Sequence, residues 1–259
     1  MIDFFPSNSS ALLLGPPGVG KFEFSIDYVV DILQNKGRIV FVAVDLHPVE
    51  IRRWIMRYGA DVPKCEGKNF LFVDCYSHSV DDSQNLYEDT KTLKVNSLSN
   101  IESIGMNISK AAERLGKPVR IVFYTLSTLF LYNPPQAMAK FFQMISSRVK
   151  TEYGFILYVL HEGVHDDRTV RLLESLVDGV VQMRFDDDLR REWRIHHYRG
   201  KRYDPHWVRF DVNKYAFVTA VDEKRLVNEF LDYEYGHNPQ KKMKGKGADH
   251  IMVEADALG

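Results

Sequence analysis

Apolar positions along this chain fall in short unbroken runs that alternate with longer stretches where they recur every three or four residues. The runs at residues 11–14, 38–44, 69–74, 119–124, 155–160 and 179–185 predict strands. Helical patterns lie between them at 21–34, 48–58, 98–115, 135–152 and 168–176. Strands that are apolar on both faces and separated by helices indicate a largely parallel sheet with helices on both sides, an α/β fold. From Glu192 the pattern changes. Residues 193–199 and 207–212 alternate and lie close together, which predicts an antiparallel hairpin at one sheet edge with Trp193 and Trp207 packing across it. Residues 222–232 predict a closing helix. The last stretch, 236–259, is basic (Lys241, Lys242, Lys244, Lys246) and then apolar, and reads as a tail after a single domain spanning 1–235.

The loop after the first run carries the sharpest chemical signal. Leu12-Leu13-Leu14 leads into Gly15-Pro16-Pro17-Gly18-Val19-Gly20-Lys21, and the next residue is Phe22. The P-loop pattern G-x-x-x-x-G-K-[ST] uses glycines so that backbone N–H groups can fold around phosphate oxygens. Its lysine meets the β/γ phosphates, and its hydroxyl ligates Mg²⁺. Here the cradle and lysine are present and a phenyl ring stands at the metal-ligand position.

Composition narrows the partners. Lys and Arg number 34 against 35 Asp and Glu, so no global charge favours nucleic acid or an anionic membrane. Two cysteines, Cys65 and Cys75, make no disulfide framework and suggest a reducing, cytoplasmic setting. The opening MIDFFPSNSS lacks the basic and apolar regions of a signal peptide. The uncharged stretch 121–139 is interrupted by Pro134-Pro135 and does not read as a membrane span.

Several weaker motifs follow the P-loop in a definite order. They are Ile121-Val122-Phe123-Tyr124-Thr125-Leu126-Ser127, a strand ending in His161, Asp178-Gly179-Val180, and Tyr198-Arg199-Gly200. In this order they resemble a KaiC-like ATPase of the RecA superfamily over about residues 12–212. The resemblance implies a RecA-like sandwich and an ATP or ADP site. It gives Gly15, Pro16, Pro17, Gly18, Val19, Gly20 and Lys21 phosphate-loop positions, with Phe22 replacing the metal-ligating hydroxyl. Tyr124 stands at the Walker-B aspartate, and Asp45 with Leu46 replaces a pair of glutamates that polarise water. His161 falls near the γ-phosphate. Arg199 survives from a trans-acting K-x-R-G element whose lysine is His197, and would reach a neighbouring subunit's site in a homo-oligomeric ring.

Three elements of metal-assisted hydrolysis are thus altered together. Their loss removes several kcal/mol of transition-state stabilisation, on the order of thousands-fold in rate. The expectation is a degenerate nucleotide-binding or regulatory protein with little hydrolysis, working through a protein or peptide partner. Two alternatives stay open: an active Mg²⁺-dependent ATPase that uses Asp45 as base with Asp74 or water at the metal, and a nucleotide-independent peptide-binding module. A DNA-binding role is disfavoured by the near-zero net charge.

His161-Glu162-Gly163-Val164-His165 is formally H-E-x-x-H, but it follows directly on a strand and has a central glycine, so no zinc is expected. His161 reads equally as a hydrogen-bonded histidine. Asp74 most simply caps its strand end. His196 and His197 are adjacent in a strand and are expected to point to opposite faces. Asp186-Asp187-Asp188 with Arg190-Arg191 reads as a polar hairpin turn.

Overall fold

The computed structural model describes residues 5–77 and 91–210. Strands β1 (Ser9–Gly15), β2 (Ile39–Ala43), β3 (Phe70–Asp74), β4 (Thr92–Lys94), β5 (Val119–Tyr124), β6 (Gly154–His161), β7 (Gly179–Phe185), β8 (Arg191–Tyr198) and β9 (Val208–Arg209) form one sheet. Their order is β4-β3-β2-β5-β6-β1-β7-β8-β9. All pairs from β4 to β7 are parallel, and β8 and β9 add an antiparallel edge. The predicted α/β sandwich is the observed one. The expected closing helix at 222–232, the tail at 236–259 and the end of the second hairpin strand lie outside the described residues.

Each parallel strand divides its side chains between two apolar layers because successive residues face opposite sides. On one side Leu12, Val40, Val42, Ile121 and Phe123 meet α4 (Ile101–Leu115), α6 (Pro135–Arg148) and α7 (Asp167–Leu176). On the other, Leu13, Ile39, Phe41 and Val122 meet α1 (Lys21–Gln34) and α2 (Pro48–Arg57). Each such buried side chain contributes about 1.5–3 kcal/mol. Polar side chains start the helices: Asn100 accepts from Ser103 N at 3.0 Å at α4, and Asp166 accepts from Thr169 N at 2.8 Å at α7.

Some boundaries differ from the sequence pattern. The predicted helix at 135–152 splits into α6 and a π-helical turn, Val149–Tyr153, that delivers Tyr153 into the core. Two one-turn helices, α3 (Val62–Cys65) and α5 (Leu126–Leu129), and the three-residue β4 are too short to leave a periodic signal. At the antiparallel edge, Val180 pairs with His197 and Val181 with Ile195, so His196 is a β-bulge. The bulge interrupts the alternation and brings the His196 and His197 rings to 5.7 Å, correcting the expectation of opposite faces. Trp193 faces Phe24 at 6.2 Å beside Met183. Trp207 lies instead against Arg184 and Arg194, at 4.1 and 4.4 Å, on the other side of the sheet. The two indoles therefore do not pack across the hairpin.

A buried ion pair secures the β4 edge. Arg52 of α2 donates to Glu66 from Nε at 3.0 Å and from Nη2 at 2.7 Å, and Nη2 also reaches Thr92 Oγ1 of β4 at 3.0 Å. Both charged groups are buried, and the guanidinium lies 4.8 Å from the Phe72 ring centroid. Breaking such a pair strands a buried charge. Glu66→Gln is expected to lower unfolding stability by about 3–5 kcal/mol, measured by urea denaturation.

Candidate functional site

Strand β1 ends at Gly15, and the loop to α1 turns through Gly18 and Gly20 at φ 76° and 106°, values that favour glycine. Gly15 has a different constraint, since a Cβ there would lie 2.9 Å from Met183 Cβ on β7. Gly20 is the N-cap of α1 and offers no side chain to cap it, which leaves the first-turn N–H groups facing the loop. Lys21 is buried beneath the loop, where its ammonium donates to the carbonyls of Gly15 at 2.5 Å and Pro16 at 2.6 Å. Burial lowers its pKa to about 8, partly opposed by the nearby Glu162 carboxylate. This arrangement of left-handed glycines, an uncapped helix start and a buried lysine fits a phosphate group.

The metal position is different. The Phe22 ring meets Tyr124 edge-on, with centroids 5.3 Å apart, and meets Trp54 of α2 at 5.8 Å. Tyr124 is tilted against Phe41, and Trp54 packs on Tyr58. The two positions that hold magnesium in the resemblance are thus in contact with each other and form part of an aromatic cluster. Mg²⁺ requires oxygen ligands in near-octahedral array, and this pair of rings does not fit it. Burial and the carboxylates of Asp45 and Glu23 push the Tyr124 phenol pKa upward, so it stays neutral. Ser25 is no substitute ligand, because its hydroxyl is buried and donates to Lys21 O at 2.7 Å.

The neighbouring strand ends bring a polar chain to the same edge. Asp45 Oδ2 accepts from Thr125 Oγ1 at 2.7 Å and lies 3.7 Å from His161 Nε2. Asp45 Oδ1 and His161 Nδ1 are buried atoms without a hydrogen-bond partner among the described residues. The His161 backbone N–H donates to Ser127 Oγ at 2.9 Å, and His165 Nε2 lies 3.0 Å from the same hydroxyl. Burial and the neighbouring His161 lower the His165 pKa. Ser127, His161 and His165 line a pocket of about 380 Å³ with Phe130, Leu131 and Val164.

The H-E-x-x-H segment spans the end of β6 and a turn rather than a helix, so its histidines do not share a helical face. Asp74 accepts from the N–H groups of Tyr76 and Ser77, both at 3.0 Å, and closes its strand end. Arg199 is not brought to the loop of its own chain. Its backbone N–H donates to Asp178 O at 2.7 Å, and its side chain, 66% exposed, lies 3.5 Å from Asp178 at the amino end of β7. The loop sits beyond the carboxyl ends of the parallel strands, about 20 Å away by strand length. Sequence reasoning did not find Trp54, Thr125, Glu162 or His165 as neighbours of this site. Only the register of β5 and β6 and the packing of α2 on α1 bring them there.

A family of unknown function, DUF7504, matches residues 31–183, more than half of the chain. The chain belongs to this family. The match begins inside α1, so the phosphate loop precedes it. Similar curated proteins include the UPF0273 protein PF1931 of Pyrococcus furiosus, 26% identical over 224 residues, covering 84% of this chain and 88% of that protein. The UPF0273 protein of Thermotoga maritima is 24% identical over 225 residues, covering 84% and 90%. Among solved structures, the KaiC-like protein PH0186 of Pyrococcus horikoshii superposes with a TM-score of 0.61 at 17% identity, over 80% of this chain and 87% of that one. The DUF7504 chain therefore has the KaiC-like, RecA-type fold anticipated from its motifs.

The Phe22–Tyr124 contact is open to a direct test. An edge-to-face pair contributes about 0.5–1.5 kcal/mol beyond area burial. A double-mutant cycle with Phe22→Ala and Tyr124→Ala, followed by urea denaturation, is expected to show coupling in that range. Additive effects would mean that the rings do not interact.

Proposed function

We propose that this DUF7504 protein binds a nucleotide through its phosphates, hydrolyses it little or not at all, and acts in the cytoplasm as a regulatory protein through a protein partner. One observation carries the reading: the phosphate cradle and Lys21 are intact while Phe22 and Tyr124 fill the metal position with each other. Gly18, Gly20 and Lys21 hold phosphate, and Gly15, Pro16, Pro17 and Val19 set the loop's path. Phosphoryl transfer in this fold class depends on a metal bridging the phosphates. A site that closes the metal position keeps the binding half of that function and gives up the chemical half.

Asp45 is placed as a base would be, beside Thr125 and His161. A carboxylate without a metal to activate the phosphate leaves most of the barrier in place. Partner recognition is supported by Leu131 and Val164, 81% and 57% exposed, which form an apolar rim beside the site. Arg199, exposed at the opposite edge, faces outward, as a residue serving a neighbouring subunit in a homo-oligomer must.

The reading is tested by calorimetric titration of ADP and ATP, with and without Mg²⁺, beside Lys21→Ala. Binding that needs no Mg²⁺, is lost in the variant and is accompanied by negligible phosphate release is the expected result. Mg²⁺-dependent turnover would overturn it. Binding also depends on pH through Lys21. A phosphate takes the ammonium form and raises its pKa, whereas the free protein holds that pKa at about 8. Binding therefore takes up a proton above pH 8, and affinity is expected to fall about tenfold from pH 7 to pH 9.

A further inference from the structure

The cradle's surroundings have a charge balance that a triphosphate does not match. Lys21 is the cation that the loop itself encloses. Glu162 follows directly on β6, its N–H bonded to Gly15 O at 2.9 Å, and its carboxylate acts on the Lys21 ammonium. Glu23 stands in the first turn of α1. Asp45 lies across β6 and β5 from the loop, with Oδ1 buried and without a partner among the described residues, and Oδ2 shared between Thr125 and the neighbourhood of His161. Glu162 thus acts on Lys21, and Asp45 and Glu23 act on the adjoining Tyr124.

In a metal-assisted site the divalent cation offsets such carboxylates. Here its place is taken by the Phe22 and Tyr124 rings. Each further phosphate on a nucleotide adds negative charge to an edge that is already acidic and partly dehydrated, where like charges repel more strongly than in water. A phosphate chain that passes Lys21 towards β6 and β5 meets Glu162 and then Asp45.

We infer that the ligand of this site is a nucleoside diphosphate or monophosphate, taken free of metal, and that nucleoside triphosphates are rejected by the Asp45 and Glu162 carboxylates. This rests on the nucleotide-binding reading above. It deepens that reading by naming the phosphorylation state sensed: the protein responds to the product of ATP consumption and ignores ATP itself.

The test compares metal-free ADP and ATP by calorimetry on the full chain, then repeats both with Mg²⁺ and on Asp45→Asn and Glu162→Gln. Glu162 is exposed, so its variant keeps the test available if Asp45→Asn does not fold. ADP is expected to bind about tenfold more tightly than ATP. Mg²⁺ leaves the ADP affinity unchanged and does not rescue ATP, and either variant narrows the gap by improving ATP alone. ATP binding as well as ADP, with both lost in Lys21→Ala, would overturn the inference and leave the nucleotide-binding reading standing. Strengthening of ATP by Mg²⁺ would likewise overturn it. Failure of every nucleotide to bind would remove the underlying reading and this inference with it.

Discussion

The site depends on β1 being held on both sides. All seven of its residues are buried, every one pairs with β6, and four also pair with β7. A strand paired in this way cannot shift without breaking two ladders and exposing two apolar layers at once. The loop that leaves its end is therefore fixed relative to the ends of β6, β5 and β2. That rigidity lets Asp45 and His161, 116 residues apart in sequence, meet at 3.7 Å. Parallel strands leave no polar face for chemistry, so function collects where their carboxyl ends open into loops.

At that edge the altered residues act together. Phe22 and Tyr124 extend the apolar layer between the sheet and helices α1 and α2 to the position at which the resemblance places a metal, with Trp54, Tyr58 and Phe41 behind them. The four ring contacts together contribute about 2–6 kcal/mol beyond burial. A cation entering there would have to displace packed rings and find oxygen ligands that the pair does not supply. Both positions therefore belong to the core of this chain.

Much of the fold was legible because its signals are periodic. The six main strands and the helix Lys21–Gln34 follow from unbroken apolar runs and from spacing, and the end of α1 lies where its apolar stripe stops. Elements of two to four residues, such as β4, α3 and α5, carry no period. The bulge at His196 was invisible for a related reason, since an inserted residue changes facing without changing composition. Of the site, the loop could be read from residue types alone. Tyr124 and Phe22 could each be identified as departures, yet their contact could not, because it arises from the packing of β5 against α1. Trp54 gave no signal beyond an apolar position on an amphipathic helix.

The remaining polar groups show why such a site would stay poised for a ligand. Burial lowers the Lys21 pKa, and the buried Asp45 and His161 atoms without partners among the described residues each cost the free fold about 1–3 kcal/mol of stability. A protein that only needed the fold could replace Lys21 by an apolar residue and gain stability. The lysine is instead folded back onto two loop carbonyls, which hold its charge where a phosphate would take it up. Under the proposed reading, a phosphate would exchange its oxygens for these carbonyls by movement of one side chain within a rigid cradle.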